Sequence, residues 1–197
     1  MTPPRRVLDA HAARLAAADL LSRRPWTRAD LTARLRRRGA PADVTTDVVA
    51  DLASRGHVDD GAFARDWVAI RTARGYGAAR LRMELRARGV AAALIDAALA
   101  DLGTDGVEDR AREVARRRLP ALQRLEAKRA SSGRPEGASF GRAERASFGR
   151  PGSASSGRAD RIAARLRDYL MRRGYSGGIA ARVARELTGA SRDPDVG

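Results

Sequence analysis

Arginines are the residues whose type and spacing suggest a chemical role in this sequence. Basic clusters recur just before Gly39, Gly89 and Gly174. A planar guanidinium donates paired hydrogen bonds to carboxylates and phosphates, so these clusters suit a partner that carries many negative charges. A second interpretation is that each cluster is a solvated helix end, where cations interact favourably with the helix dipole. The candidate contact residues are Arg36, Arg37, Arg38, Arg86, Arg88, Arg172 and Arg173.

The remaining polar residues do not form a pattern typical of catalysis or metal binding. His11 and His57 are the two histidines, there is no cysteine, and neither histidine has a carboxylate at ligand spacing. Of the pair Asp59 and Asp60, we expect one to cap a helix and the other to interact with its positive end. The segment Gly75-Tyr76-Gly77 lacks the third glycine of a dinucleotide-binding loop. We therefore expect a protein that binds macromolecules, without enzyme activity and without a cofactor.

The overall charge points to the same class of partner. The chain has 39 Lys and Arg residues against 24 Asp and Glu residues, a net charge of +15. A GC-rich genome also favours arginine over lysine, but it does not account for the surplus over acidic residues. No apolar run approaches the roughly 20 residues of a membrane span, and the N-terminus lacks the apolar core of a signal peptide. We expect a cytoplasmic monomer with no membrane partner.

The arginine clusters are part of a repeated pattern of apolar residues around the three glycines. Leucines lie eight and four residues before each glycine, on one face of a predicted helix. Glycine then ends that helix, because it readily adopts the left-handed conformation of a C-terminal cap. Aliphatic residues five, nine and thirteen positions later predict a second helix. The two leucines before each glycine and the three aliphatic residues after it are, in chain order, Leu31, Leu35, Val44, Val48 and Leu52, then Leu81, Leu85, Leu94, Ala98 and Leu102, then Leu166, Leu170, Ile179, Val183 and Leu187.

A third helix is expected upstream of each pair. The first covers about residues 8–21 and is followed by Pro25, with Thr27 starting the next helix. The second begins at Asp59 or Asp60 and breaks at residues 75–77. The third covers about residues 105–125, and Pro120 should kink or shorten it. The residues expected on the apolar faces are Leu15 and Ala18, then Phe63, Trp67 and Ile70, then Val107, Val114 and Leu122.

These elements predict an all-α fold of three tandem three-helix repeats that form an elongated, curved array. Stacked repeats of this kind bury apolar faces that single short helices cannot bury alone. The predicted repeats cover residues 1–56, residues 57–103, and residues 104–125 together with 159–188; residues 189–197 are expected to be a disordered tail.

A low-complexity segment interrupts the third repeat at residues 126–158. It contains four copies of Ala-Ser-[Ser/Phe]-Gly-Arg, which begin at residues 130, 138, 146 and 154. A composition so rich in Gly, Ser, Pro and Arg cannot bury a core, so the segment is predicted to be disordered. It is interpreted either as a tolerated insertion or as a basic arm that contacts nucleic acid.

Four stretches of the sequence resemble the RecX family of bacterial regulatory proteins. They are LLSRRP at residues 20–25, GHVDDGAFARDW at residues 56–67, GYGAARLRMELRARGV at residues 75–90 and RLRDYLMRRGYS at residues 165–176. Their order and spacing carry the resemblance, which extends over about residues 12–187 apart from the low-complexity segment. The resemblance implies tandem three-helix repeats and no catalytic residues.

The resemblance also implies a partner and a role. A RecX-like protein would bind the RecA–DNA filament along its groove, with single- or double-stranded DNA as a further partner. It would modulate, mainly by inhibition, the recombinase, ATPase and coprotease activities of RecA in DNA repair and the SOS response. The alternative is a helix-turn-helix-like protein that binds DNA without RecA. Against it, each basic cluster ends the first helix of a pair, whereas a recognition helix carries its contacts at the start of the second.

Overall fold

The regular structure of the protein is helical throughout the residues that its structure describes. The computed structural model describes residues 7–103, 105–132 and 152–190. The all-α prediction is confirmed over these ranges, and no helix within them is long and apolar enough to cross a membrane. The helices are α1 (Ala10–Arg23), α2 (Arg28–Arg37), α3 (Ala42–Ser54), α4 (Asp60–Ala73), α5 (Ala78–Ala87), α6 (Ala92–Ala100), α7 (Val107–Ser132), α8 (Gly152–Arg172) and α9 (Gly177–Thr188).

The first six helices repeat with a spacing of 50 residues. Helices α1 and α4 start at Ala10 and Asp60 and both contain 14 residues. Helices α2 and α5 start at Arg28 and Ala78 and both contain 10 residues. Equivalent positions of repeat 1 (α1–α3) and repeat 2 (α4–α6) can therefore be compared residue by residue. Helices α7–α9 form repeat 3, so the predicted three-helix unit is confirmed.

The three predicted glycines end helices in the left-handed conformation. Their φ angles are 99° at Gly39, 74° at Gly89 and 93° at Gly174. After each glycine, the next backbone N–H donates to the carbonyl oxygen of the leucine five residues before it, at 3.1–3.2 Å. This is the Schellman arrangement, which satisfies carbonyl groups that the helix end would leave free. The cap also turns the chain into the following helix.

Each repeat has its own apolar core. The six leucines that precede the glycines have no solvent-exposed surface: Leu31, Leu35, Leu81, Leu85, Leu166 and Leu170. The leucines of repeats 1, 2 and 3 belong to three separate clusters of buried residues. Val48, Ala98 and Val183, nine residues after each glycine, are buried in the same clusters. The frame of leucines and glycines therefore fixes both the helix pairs and their cores.

The inward faces of three helices differ from the sequence prediction. In α1, Leu15 is 60% exposed and Ala18 is also exposed, while Ala13, Ala17 and Leu20 form the core. Helix α1 is rich in alanine, so its apolar residues do not define one face by contrast. In α4, Phe63 is buried and Trp67 is half-buried, but Ile70 is 53% exposed. In α6, Leu94 is 38% exposed and the neighbouring Ile95 is buried instead.

Repeat 3 has longer helices than the sequence predicts. Helix α7 continues through Pro120 to Ser132, and α8 already begins at Gly152. The prediction of disorder is therefore wrong for residues 126–132 and 152–158, and residues 133–151 lie outside the described part of the chain. Contacts beyond Pro120 explain the longer α7, because Leu122 and Glu126 are both buried against repeat 3. Val107, Val114 and Leu122 pack as predicted.

The chain forms two compact units. The first covers residues 1–103 and contains repeats 1 and 2; the second covers residues 104–197 and contains repeat 3. The predicted tail lies at the end of the second unit. Of its residues, Gly189 caps α9 in the left-handed conformation, and residues 191–197 lie outside the described part of the chain.

Candidate functional site

The basic end of α2 exposes two arginines that have no internal partner. The side chains of Arg36 and Arg37 are exposed and form no ion pair or hydrogen bond with residues of the described part of repeat 1 or repeat 2. Arg38 differs, because its guanidinium lies 3.8 Å from the carboxylate of Asp19 and 3.5 Å from the carbonyl oxygen of Ala16. Arg36 and Arg37 are therefore available to an external anion.

The basic end of α5 separates its two arginines into different environments. Arg86 is exposed and has no side-chain partner within the described residues of its unit. Arg88 turns inward: Nη1 donates to Asp30 Oδ2 at 3.0 Å, and its guanidinium carbon lies 4.2 Å from the ring centre of Trp67. Arg88 is thus occupied by an internal ion pair and a cation–π contact, which makes it a poor candidate for contact with an external partner.

Arg88 belongs to a contact between repeats 1 and 2. The hydroxyl of Thr27 donates to the carbonyl oxygen of Arg88 at 2.8 Å and accepts from the backbone N–H of Asp30 at 3.0 Å. The carboxylate of Asp60 accepts from the backbone N–H of Arg28 at 2.8 Å. Gly89 lies against α2 so closely that a Cβ atom on it would be 2.3 Å from the Cβ of Ala29. The start of α2 therefore rests directly on the end of α5.

Glu84 gathers three donors in the space between α4 and α5. Its Oε2 accepts from Arg71 Nε at 2.9 Å and from Trp67 Nε1 at 3.1 Å, and its Oε1 accepts from Arg80 Nε at 2.9 Å. Burial opposes ionisation of this carboxyl, but the hydrogen bonds from Arg71, Arg80 and Trp67 outweigh it and lower its pKa to about 2. Arg71 and Arg80 are therefore paired with a carboxylate from repeat 2 itself.

The basic end of α8 has one open and one engaged arginine. Arg172 is exposed and has no side-chain partner among the described residues of repeat 3. The guanidinium carbon of Arg173 lies 5.1 Å from the ring centre of Tyr169, and that of Arg118 lies 5.4 Å from the same ring. Among the seven predicted contact residues, the exposed arginines without a partner in the described ranges are thus Arg36, Arg37, Arg86 and Arg172.

Repeat 3 also contains ion pairs that hold its helices together. Glu126 on α7 is 3% exposed; Arg161 Nε donates to its Oε2 at 3.2 Å, and Arg165 Nη1 lies 3.0 Å from its Oε1. The hydrogen bond from Arg161 outweighs burial and lowers the pKa of this carboxyl. Arg112 on α7 reaches Glu186 on α9 at 2.9 Å. These arginines stabilise the repeat and are not available to a partner.

The open arginines suit binding of anions rather than catalysis. They lie at helix ends whose partial negative charge favours cations, and their side chains extend into solvent. Within residues 7–103, 105–132 and 152–190 there is no group of three His, Cys, Asp or Glu residues that could hold a metal ion. Asp59 caps α4 by accepting from Gly61 and Ala62, and hydrogen bonds from Ala62 and Gly61 lower its pKa. Its role is structural, as the sequence predicts.

Sequence reasoning missed the acidic partners of Arg71 and Arg88. Arg71 and Glu84 are 13 residues apart and lie on different helices, while Arg88 and Asp30 are 58 residues apart. Asp30 lies in the first turn of α2, and its carboxylate pairs with Arg88 across the contact between repeats 1 and 2.

Two family models match successive parts of the first unit. The model described as "RecX, first three-helix domain" matches residues 13–52, and "RecX, second three-helix domain" matches residues 59–99. The first range falls within α1–α3, and the second begins at Asp59, the N-cap of α4, and ends in α6. The models therefore coincide with repeats 1 and 2 as the structure shows them.

Curated relatives are similar over most of the chain. The regulatory protein RecX of Streptomyces coelicolor is 33% identical over 185 residues, which cover 93% of this chain and 80% of that protein. The RecX of Thermobifida fusca is 36% identical over 175 residues, covering 88% and 77% respectively. The similarity thus extends into repeat 3.

Solved structures show the same fold. A crystal structure of a regulatory protein RecX superposes with a TM-score of 0.62 at 18% identity, covering 91% of this chain and 71% of that one. The crystal structure of RecX from Lactobacillus salivarius superposes with a TM-score of 0.61 at 17% identity, covering 90% and 96%. At this level of identity the comparison bears on the fold alone.

Proposed function

Because this chain belongs to the RecX family of regulatory proteins, which are not enzymes, we propose that it binds the RecA–DNA filament and restrains its activity. We infer the partner from the family, and we infer the mode of binding from the positive charge of the exposed arginines. The exposed arginines at the ends of α2, α5 and α8 contact acidic surface of RecA or the phosphates of the bound DNA. Occupying the filament groove then hinders subunit exchange and ATP hydrolysis.

One observation carries this proposal: at the end of its second helix, each repeat exposes at least one arginine that has no side-chain partner among the described residues of its unit. These are Arg36 and Arg37, then Arg86, then Arg172. A filament repeats its own surface at regular intervals, so a chain with equivalent cations in successive repeats matches it better than one isolated patch would. The surplus of positive charge, +15 overall, adds long-range attraction to such a polyanion.

The test is ATP hydrolysis by RecA on single-stranded DNA, with this protein added below the concentration of RecA. We expect lower hydrolysis and co-sedimentation of the protein with the filaments. Unchanged hydrolysis together with absence from the filament pellet would contradict the proposal.

Charge-removing variants locate the contact. Replacing both Arg36→Gln and Arg37→Gln removes two partner contacts worth about 1 kcal/mol together, so the half-inhibitory concentration should rise about fivefold to tenfold. A matched control replaces Arg14→Gln and Arg65→Gln, which are exposed arginines on α1 and α4. Equal effects of the two double variants would indicate only general electrostatic attraction.

Binding to naked DNA separates the helix-turn-helix alternative from the proposal. A protein that acts without RecA would bind duplex DNA with a preference for sequence and a steep dependence on salt. We expect no sequence preference and tighter binding to the RecA filament than to duplex DNA at equal salt. The opposite ranking would favour the alternative.

A further inference from the structure

A groove between α1 and α2 concentrates arginines around an aromatic ring. Its volume is about 470 Å³, and it is lined by Leu20, Arg23, Arg24, Trp26, Arg34 and Arg38. Asp19 is the carboxylate that contacts this set, at 2.8 Å from Arg23 and 3.8 Å from Arg38. Within the described residues, Asp19 thus pairs with two of the four arginines, and we call the lining residues the repeat 1 groove.

The ring of Trp26 is held firmly at the edge of the groove. Its Nε1 donates to the carbonyl oxygen of Leu20 at 3.0 Å. The guanidinium carbon of Arg24 lies over the ring, 3.6 Å from its centre. This distance is that of a stacked pair, so the planar guanidinium is oriented by the ring and presents its other face outward. Arg24 is exposed, and that outward face is open to a flat ligand.

The 50-residue spacing allows the groove to be compared with its equivalent in repeat 2. Position 34 of repeat 1 corresponds to Glu84, and Trp26 corresponds to Tyr76. In repeat 2, Glu84 accepts hydrogen bonds from Arg71, Arg80 and Trp67 and neutralises the space between α4 and α5. Repeat 2 thus has a paired carboxylate at the position that Arg34 takes in repeat 1.

Repeat 1 lacks both groups that fill this space in repeat 2. The position of Glu84 is taken by Arg34, which is exposed and has no side-chain partner in the described residues of its unit. The position of Trp67 is taken by Ala17, whose side chain is buried and small. Arg71 and Arg80, which hold Glu84 in repeat 2, correspond to Leu21 and Asp30 in repeat 1. The cations of the repeat 1 groove are instead Arg23, Arg24, Arg34 and Arg38, and position 34 holds no carboxylate.

We propose that the repeat 1 groove binds a phosphodiester group of single-stranded nucleic acid, with Arg34 at the position where repeat 2 has the Glu84 carboxylate. The phosphate accepts from Arg34 together with Arg38 or Arg23, which line the groove. The adjacent base stacks on the outward face of the Arg24 guanidinium, which Trp26 supports from behind. This site goes beyond the proposed function and does not require RecA.

Nucleic acid suits the groove better than an acidic protein segment does. Guanidinium groups form paired hydrogen bonds with phosphate oxygens, and a single strand presents one phosphate per nucleotide together with flat bases. Stacking of bases on aromatic rings and on arginine planes is a common means of binding single strands. Acidic side chains would satisfy the cations but would leave the stacked Arg24–Trp26 pair without a matching surface.

The two tryptophans provide a direct test. The chain contains Trp26 in the repeat 1 groove and Trp67 beside Glu84 in repeat 2. In the full-length protein labelled with fluorinated tryptophan, each gives one fluorine NMR signal, assigned with the variant Trp26→Phe. We expect titration with oligodeoxythymidylate to move the Trp26 signal and to leave that of Trp67 in place. Movement of neither signal, or equal movement of both, would overturn the proposal.

The variant Arg34→Glu gives repeat 1 the acidic residue that closes repeat 2. We expect it to weaken the Trp26 response at least about tenfold, since the change removes the guanidinium of Arg34 and adds a carboxylate that competes with the phosphate for Arg23 and Arg38. The control Arg14→Glu makes the same change of charge at an exposed position of α1 outside the groove. It should weaken the response only about twofold to threefold through long-range repulsion. Circular dichroism must show equal helix content for the two variants.

Further titrations distinguish the kind of anion. Poly-glutamate of matched charge should leave the Trp26 signal in place, and a stronger response to it than to the oligonucleotide would overturn the assignment to nucleic acid. In the variant Glu84→Gln, repeat 2 loses its internal anion, so the Trp67 signal should now respond to the oligonucleotide. Because these titrations contain no RecA, their outcome is independent of the ATPase test of the proposed function.

Discussion

Glu84 shows how one residue can set the electrostatic character of a whole repeat. Three donors converge on it from two helices, and the pKa of about 2 follows from those hydrogen bonds. The equivalent residue is Arg34 in repeat 1 and Tyr169 in repeat 3. Repeat 2 therefore has a carboxylate at a position where repeat 1 has Arg34, which has no side-chain partner among the described residues of its unit.

The low pKa of Glu84 predicts a specific loss of stability in acid. Its pKa is lower in the folded protein, about 2, than the ordinary value of 4.5. It therefore stabilises the fold fully above about pH 4.5, and this contribution, of the order of 3 kcal/mol, is lost as the pH falls towards 2. The variant Glu84→Gln should be less stable at pH 7 and should lose less stability between pH 5 and pH 2 (approximate limits of the titration range).

Urea denaturation across that range measures the effect. The matched control is Glu113→Gln, since Glu113 forms an exposed pair with Arg117 on α7 and exposed pairs contribute little. Parallel pH profiles of the wild type and Glu84→Gln would show that the carboxylate does not have the predicted role.

At the scale of helices, the sequence defines the repeat frame well and the faces of some helices poorly. Leucines at fixed distances from a glycine combine two independent physical requirements, a buried face and a left-handed cap, and all six leucines are buried as predicted. Leu15 and Leu94 were placed wrongly because α1 and α6 are apolar on several sides. A pattern identifies a face only where polar residues mark the opposite one.

Contacts between distant residues could not be predicted from spacing. Arg88 was a candidate for partner contact because it precedes Gly89, yet Asp30 and Trp67 engage it. Likewise, the buried Glu126 extends α7 into a segment whose composition predicts disorder. In both cases a carboxylate meets an arginine from another helix, and single-sequence periodicity contains no information about that pairing. The exposed arginines at positions 36, 37, 86 and 172 remain predicted contacts.

Because the end of α5 lies so close to α2, adding one methyl group at Gly89 should lower the stability of the fold strongly. In Gly89→Ala, the left-handed conformation costs about 1–2 kcal/mol, and the new Cβ, 2.3 Å from the Cβ of Ala29, adds about 1–3 kcal/mol of overpacking. The control is Gly56→Ala, which has the same conformation at φ 76° but nothing within 4 Å of the added Cβ.

The difference between the two variants in urea denaturation isolates the contact between repeats. We expect Gly89→Ala to be less stable than Gly56→Ala by at least about 1 kcal/mol. Equal destabilisation would mean that the helices separate at little cost, contrary to the packing described above.

At the scale of the whole molecule, three cores are distributed over two compact units. The clusters of repeats 1 and 2 lie in the first unit and the cluster of repeat 3 lies in the second. The first unit has the size of an ordinary small domain, and hydrogen bonds from Thr27, Arg28 and Arg88 join its two repeats. It therefore contains what a domain needs to fold without the second unit.

This division predicts that a protein ending at Gly103 folds alone. Residues 1–103 should show a helical circular dichroism spectrum and a single cooperative unfolding transition in urea. The control carries Gly89→Ala in the same shortened chain, which should unfold at lower urea concentration. A spectrum typical of an unfolded chain would show that repeat 3 is required for the stability of the first unit.

The hydroxyl of Thr27 has a consequence for the order in which the protein folds. Its oxygen accepts from the backbone N–H of Asp30 in α2, while its proton is donated to the carbonyl oxygen of Arg88, the residue that caps α5. The carbonyl group at the end of α5 therefore has this donor only when repeat 1 is in place. The hydrogen bond that this hydroxyl donates therefore contributes to the interaction energy between the two repeats and not to the intrinsic stability of either one. Each repeat therefore gains part of its stability when the other docks, so the two repeats are expected to fold cooperatively.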